Sequence, residues 1–173
     1  MYKGWSPEYL AHAREIFERA LALDPKNVEA MVWMAVVDLL VGTSYMIDGR
    51  AALLATAEAT SVKVLSLAPN HAFAHLILGN LLIHTNRAAQ GIAECERALA
   101  LDRNLAVAHG TIGFGKLCLG RGAETEAHIE QALRLSPRDA YVYTWTVIVG
   151  LAKFWHGANA EAIVWLRRSL EAT

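Results

Sequence analysis

The side chains best suited to bind a metal in this sequence are its 7 histidines. His71 and His75 are four positions apart, a spacing that places two imidazole rings on one face of a helix. A structural zinc site needs four ligands, and no Cys or carboxylate lies at ligand spacing beside this pair. His109 follows His75 at a distance of 34 residues, which favours a packing role repeated along the chain. The sequence therefore predicts no metal and no cofactor.

Residues typical of catalysis or phosphate binding occur without the context that this chemistry requires. Gly110, Gly113 and Gly115 lie within a helical pattern, whereas a dinucleotide-binding glycine loop follows a strand and opens a helix. No serine lies in the G-x-S-x-G pattern of the hydrolases. The acidic residues follow polar helix faces, and no two of them form a pair suited to acid–base catalysis. We therefore predict that the chain is not an enzyme.

Composition argues against several classes of partner. Lys and Arg number 16 against 17 Asp and Glu, which gives a net charge of −1 and no basic surface for nucleic acid. The uncharged apolar run at residues 140–152 is shorter than the roughly 20 residues that a membrane span requires. The N-terminus lacks the apolar run of a signal peptide. Cys95 and Cys118 do not form a disulfide framework, so we predict a cytoplasmic protein that binds neither nucleic acid nor membranes.

One eight-residue pattern occurs four times along the chain. It reads ALALDPKN from Ala20, VLSLAPNH from Val64, ALALDRNL from Ala98 and ALRLSPRD from Ala132, at intervals of 44, 34 and 34 residues. A period of this length indicates stacked supersecondary units. Apolar residues at helical spacing and regular breakers predict two helices in each period. The predicted helices, about nine in number, span residues 7–23, 28–41, 50–67, 71–84, 87–101, 105–119, 122–135, 139–154 and 158–171.

Aligning the first helix of each period produces a column of mostly small residues at Ala35, Gly79, Gly113 and Val147. The second helices align on triplets such as Gly91, Cys95 and Ala98, and a last copy aligns as Ala162, Leu166 and Ser169 when three extra residues are placed near 156–159. A 34-residue helix–turn–helix unit with these features resembles the tetratricopeptide repeat. The resemblance implies an all-α, right-handed solenoid of helix pairs.

We interpret the chain as a single repeat array that is a fragment of a longer protein. Residues 7–25 form an unpaired second helix, 28–69 a repeat with a ten-residue insertion, and 72–103, 106–137 and 140–171 three further repeats. Phrases such as ALALDPKNVEAM and LVGTSYMIDGRA are similar to the repeat tails of bacterial class III adenylate cyclases and winged-helix regulators. This similarity implies the regulatory part of a bacterial signalling protein. It transfers no catalytic or DNA-reading residue, because no such domain is present.

The resemblance also implies a concave groove, lined by the first helices, that binds a protein or peptide segment. The predicted groove residues are Glu29, Val32, Val36, Phe73, Leu76, Asn80, Val107, Gly110, Phe114, Tyr141, Thr144 and Ile148. None is Lys or Arg, so the carboxylate clamp with which some family members hold acidic tails is missing. An apolar groove suits an amphipathic helix or an apolar strip. In the alternative interpretation these residues pack on one another or on a neighbouring chain.

Two further regions are candidates for contacts. The insertion contains Tyr45, Met46 and Ile47, and it forms either a specificity loop or a longer second helix that begins near Asp48. The last helix retains apolar residues that predict self-association, for example as a homodimer, namely Ile163, Trp165, Leu166 and Leu170. The principal functional hypothesis is a protein-binding scaffold. The alternatives are a homo-oligomerisation module and, third, a small-molecule sensor.

Overall fold

A computed structural model describes residues 6–44 and 48–171, and every regular element in them is an α-helix. The helices are α1 (Pro7–Leu23), α2 (Val28–Ser44), α3 (Arg50–Leu67), α4 (Ala72–His84), α5 (Ala88–Leu101), α6 (Ala106–Cys118), α7 (Gly122–Leu135), α8 (Val142–Trp155) and α9 (Asn159–Glu171). Within these residues the predicted number of helices is therefore correct. None of the described helices combines the length and the apolar character needed to cross a membrane.

Local chemistry accounts for the ends of the helices. The Ser6 hydroxyl accepts a hydrogen bond from the Tyr9 amide (3.3 Å), and Pro7 occupies the first helical position, where its missing N–H is not needed. The first helix of three pairs ends two residues before a left-handed residue, which is Asn86 (φ 62°), Gly120 (φ 72°) or Gly157 (φ 76°). Glycine and asparagine adopt this conformation at little cost, so each turn reverses the chain within three residues.

The helices pack as antiparallel pairs that repeat along one direction. The pairs are α2–α3, α4–α5, α6–α7 and α8–α9, and α1 packs on α2. The first helices of successive pairs also touch, α2 against α4, α4 against α6 and α6 against α8. These contacts place α2, α4, α6 and α8 along one side of the array. The fold is an all-α solenoid of helix pairs, as the sequence predicted.

Glycine is required where the two helices of a pair cross. A Cβ atom built on Gly91 would lie 2.4 Å from the Gly79 carbonyl oxygen, and one on Gly113 would lie 2.9 Å from Ile129 Cδ1. In the last pair the equivalent contact is made by Gly150, whose Cβ would lie 2.7 Å from Leu166. The predicted small-residue column is thus wrong in its last member, because Gly150 and not Val147 occupies that position.

The reason for this shift is the connection between α7 and α8. The turn 156–158 has three residues, as has the turn 119–121, so the extra residues do not lie there. The α7–α8 connection instead spans 136–141, two residues more than 102–105, and α8 is one residue longer than α6. It makes two consecutive turns, in which the Asp139 amide donates to the Ser136 carbonyl (3.3 Å) and the Val142 amide to the Asp139 carbonyl (3.2 Å).

The ten-residue insertion lengthens both helices of the first pair. α2 and α3 have 17 and 18 residues, whereas α4 and α5 have 13 and 14. The connection 45–49 is two residues longer than 85–87, which accounts for the remainder. Arg50 Nε donates to the Gly42 carbonyl (2.7 Å) across the lengthened pair. The longer second helix is therefore present and begins at Arg50, while Tyr45, Met46 and Ile47 lie outside the described residues.

Candidate functional site

The concave side of the array contains an open groove of about 490 Å³, lined by residues of α2, α4, α6 and α8 and of the connection before α8. Ten of the predicted groove residues line it: Val36, Phe73, Leu76, Asn80, Val107, Gly110, Phe114, Tyr141, Thr144 and Ile148. They come from four successive pairs, so the groove exists only because the pairs stack in register. Its walls are mostly apolar and aromatic.

Two predicted residues lie elsewhere. Val32 is buried in a core cluster with Met31, Val64 and Ala74, between α2 and its neighbours. Glu29 is exposed at the start of α2, where its Oε1 lies 3.0 Å from His71 Nε2. Both were assigned from the resemblance to the repeat family. The wall that α2 contributes begins at Trp33 and extends to Thr43, near the C-terminus of the helix.

Several lining residues were not predicted, and most are aromatic or aliphatic. They are Trp33, Leu39, Leu40, Thr43, Ile77, His84, Thr111, Asp139, Tyr143 and Trp145. Trp33 lies between two other rings, 6.5 Å from Phe17 and 5.4 Å from Phe73 between centroids. Such stacked or tilted pairs stabilise each other beyond simple burial. Most of them lie on α2 and α4, at positions that the 34-residue alignment did not assign to the groove.

Gly110 and Trp145 together shape the floor of the groove. A Cβ atom on Gly110 would lie 2.1 Å from Trp145 Nε1, so only glycine lets the indole ring lie directly against α6. Trp145 is buried there and belongs to the largest core cluster, with Ile129 and Val149. From the sequence, the glycines of this region could be placed only within a helix. The contact with a ring from the next pair could not be seen from spacing.

The groove carries few charged groups. Burial lowers the pKa of His84, and the positive charge of Arg50 lowers it further, so this ring is neutral near pH 7. The His84 ring lies 5.2 Å from that of Phe114. Asp139 is the single carboxylate among the lining residues of the described chain, and none of them is Lys or Arg. Asp139 Oδ1 accepts a hydrogen bond from the Tyr141 amide (3.0 Å).

The spaced histidines have structural partners. His71 Nδ1 accepts a hydrogen bond from the Ala74 amide (3.1 Å) and caps α4. His75 lies 2.6 Å from Glu94 through Nδ1 and 2.9 Å from the Pro69 carbonyl through Nε2. All four ring nitrogens are therefore engaged. In the part of the chain that the structure describes, no three His, Cys, Asp or Glu residues are grouped as metal ligands would be.

The residues predicted for self-association divide into two sets. Ile163 and Leu170 are exposed on α9, Leu170 at 76% of its surface. Trp165 is buried in the core, and its Nε1 donates to Glu126 Oε1 (3.2 Å). Leu166 packs against Gly150 within the last pair. Trp165 and Leu166 are therefore corrections to the prediction, because the face of α9 that carries them is the one that covers α7 and α8.

Comparison with known proteins assigns the fold. No family model matches the sequence, and no curated protein matches it. Among solved structures, MamA is similar over 98% of this chain and 92% of its own, with 24% identity and a TM-score of 0.63. TTC0263, a thermophilic tetratricopeptide-repeat protein of Thermus thermophilus, is similar over 96% of this chain and 84% of its own, with 20% identity and a TM-score of 0.76.

A third structure, YrrB, is described as a tetratricopeptide-repeat protein with an unusual peptide-binding site. It is similar over 96% of this chain and 79% of its own, with 16% identity and a TM-score of 0.62. At these identities the comparisons establish the architecture. The chain has the fold of the tetratricopeptide-repeat proteins.

Proposed function

We propose that this chain is a non-catalytic scaffold that binds a segment of another protein, as a peptide or a helix, in the concave groove. The observation that carries the proposal is the groove itself, whose apolar walls come from four successive helices and remain open to solvent. Its volume of about 490 Å³ lies within the range of roughly 300–1,000 Å³ typical of ligand sites. Exposed apolar surfaces of this kind usually mark an interface.

The chemistry of the walls favours an apolar segment over an acidic tail. Binding a carboxylate-rich tail calls for Arg or Lys donors, and the described lining residues include neither. An amphipathic helix would instead place aliphatic or aromatic anchors at i, i+3, i+4 and i+7 against the partly exposed Phe73, Val107 and Phe114. The fold shared with YrrB, whose peptide-binding site is noted above, supports this mode of binding.

The proposal extends to the setting of the scaffold. The similarity of ALALDPKNVEAM and LVGTSYMIDGRA to the repeat tails of bacterial cyclases and winged-helix regulators supports a regulatory part of a larger signalling protein. In such a protein the groove would receive a segment of a partner and transmit its presence to an attached effector domain. Identification of the domain encoded next to this array tests that setting directly.

A peptide-display selection tests binding in the groove. Random 16-residue peptides are selected on the wild-type chain, and the dissociation constants of enriched peptides are measured by fluorescence anisotropy. Phe114→Ala and Tyr143→Ala each remove an aromatic wall residue that is not fully buried, so helicity should persist and affinity should fall tenfold or more. Leu67→Ala and Leu101→Ala remove exposed apolar residues of second helices and should change affinity less than twofold. Equal effects of both sets would refute the proposal.

A second candidate function, self-association, is favoured by the apolar end of the array. Leu151, Phe154 and Trp155 of α8 are exposed, as are Ile163 and Leu170 of α9, and Trp155 exposes 64% of its surface. Light scattering after size exclusion should then give a mass at an integer multiple of 18.9 kDa. Trp155→Glu should return the monomer, whereas Leu101→Glu should not. A monomer at all concentrations rules this function out.

A further inference from the structure

We propose that the groove selects segments that carry a lysine or arginine among their apolar anchors, and that this cation lies beside Asp139 and the aromatic rings at the start of α8. This inference rests on the proposed function, since it names the chemistry of the segment that the same groove binds. A carboxylate clamp selects an anionic segment, whereas this groove would select a cationic one.

The charges around the groove support a cationic guest. Among its described lining residues the only carboxylate is that of Asp139, and no Lys or Arg offsets it. His84, on the wall formed by the end of α4, adds no positive charge near pH 7, because burial and Arg50 lower its pKa. Arg50 itself lies outside the lining and donates its Nε to the Gly42 carbonyl. The formal charge of the lining residues is therefore −1.

Asp139 occupies the position that Leu105 has in the preceding connection, because the Asp139 carbonyl accepts from the Val142 amide as the Leu105 carbonyl accepts from the Ala108 amide. In the preceding connection Asp102 makes the same local hydrogen bond, its Oδ1 accepting from the Asn104 amide (2.9 Å), but does not line the groove. Asp139 and Tyr141 of the connection 136–141 both line the groove, whereas Leu105 does not. The carboxylate is thus specific to this repeat.

The helix dipole does not cancel this charge. The N-terminus of α8 contributes about half a positive charge, less than the full negative charge of Asp139. Asp139 is partly exposed to solvent, so a bound ammonium or guanidinium group would keep part of its hydration. The aliphatic stem of a lysine or arginine could meanwhile cover apolar wall, as long cationic side chains commonly do.

The aromatic rings add an attraction that is independent of Asp139. Tyr141, Tyr143 and Trp145 follow the carboxylate closely in sequence, and all three line the groove together with Phe73 on α4. The faces of such rings are electronegative and attract cations by an amount that grows as water is excluded. Guests with a basic residue gain both contributions, whereas neutral guests gain neither.

The composition of the selected peptides tests the inference. Among peptides whose binding falls on Phe114→Ala, Lys and Arg should be enriched at least twofold over the input library. These peptides should bind Asp139→Asn at least fivefold more weakly than wild type in 50 mM salt. The asparagine retains the carbonyl oxygen that accepts from the Tyr141 amide, so the turn is preserved. Asp102→Asn is the matched control and should leave affinity unchanged.

The outcomes separate this inference from the proposed function. Groove-dependent peptides without basic enrichment, or with affinities indifferent to Asp139→Asn, would overturn the selection of a cation and leave the scaffold intact. If no peptide depends on the groove residues, both proposals are overturned. Enrichment of Asp and Glu would also overturn the inference, because it would show that the groove prefers anionic segments.

Discussion

The ion pair between Arg14 of α1 and Asp38 of α2 provides the sharpest test of how the array is held together. Asp38 is buried, with 2% of its surface exposed, and Arg14 Nη2 donates to its Oδ1. Burial raises the pKa of Asp38, and Arg14 acts in the opposite direction through its hydrogen bond and its charge. Removing the arginine while leaving the carboxylate should therefore destabilise the packing of α1 on α2.

The size of the effect follows from the burial of each partner. Breaking a fully buried ion pair from one side costs about 3–5 kcal/mol, because it leaves an uncompensated charge. The Arg14 side chain is 33% exposed, so water can partly replace it, and we expect Arg14→Met to lower the free energy of unfolding by about 2–3 kcal/mol at pH 7. Replacing Asp38 as well, in Arg14→Met/Asp38→Asn, should restore about half of this loss.

The dependence on pH identifies the buried charge as the cause. An acid whose pKa is higher in the folded than in the unfolded state binds more protons when folded, so its contribution to stability is lost as the pH rises through the folded-state pKa. Without Arg14 the pKa of Asp38 rises further. The loss in free energy of unfolding caused by Arg14→Met should therefore be smaller at pH 5 than at pH 7.

Urea unfolding followed by circular dichroism measures the whole chain, and hydrogen exchange of the amides in 7–23 measures the opening of α1. The exchange measurement is needed because repeat arrays can open from their ends. Arg14→Met/Asp38→Asn lacks the carboxyl group, and its deficit should not depend on pH in this range. A deficit below about 1 kcal/mol for Arg14→Met, or one that is equal at pH 7 and pH 5, would refute this account.

Two further predictions concern packing and thiol chemistry. Gly91→Ala should lower the free energy of unfolding in urea by about 2–3 kcal/mol, because its Cβ would lie 2.4 Å from the Gly79 carbonyl oxygen. Gly120→Ala, which places its Cβ in open space at φ 72°, should lower it by only about 1 kcal/mol. Equal losses in the two variants would contradict the close approach of the helices at Gly91. Ellman's reagent should titrate one thiol in the folded chain, that of exposed Cys118, and two thiols in urea. The reason is that Cys95 is fully buried and burial raises its pKa to about 12. Rapid reaction of both thiols in the folded chain would contradict this prediction and show that α5 opens readily.

Sequence alone was sufficient for the features that depend on neighbouring residues. Helix periodicity, breakers such as Asp24-Pro25 and the 34-residue interval reflect contacts within one helix or one pair, and each leaves a mark at short range. The walls contributed by α4 and α6 were predicted for the same reason. Their pairs keep the interval of 34 residues, so Phe73 and Val107 share a register that can be read directly.

The tertiary structure decided whatever depends on distant partners. The extra residues before and within α8 shift the small-residue position from Val147 to Gly150, since loop length carries no periodic signal. Trp165 is buried and Leu170 exposed because α7 and α8 cover only one face of α9. The charge of Asp38 is tolerated inside the core because Arg14, 24 residues away in the chain, lies beside it, and such a contact exists only once the helices have packed.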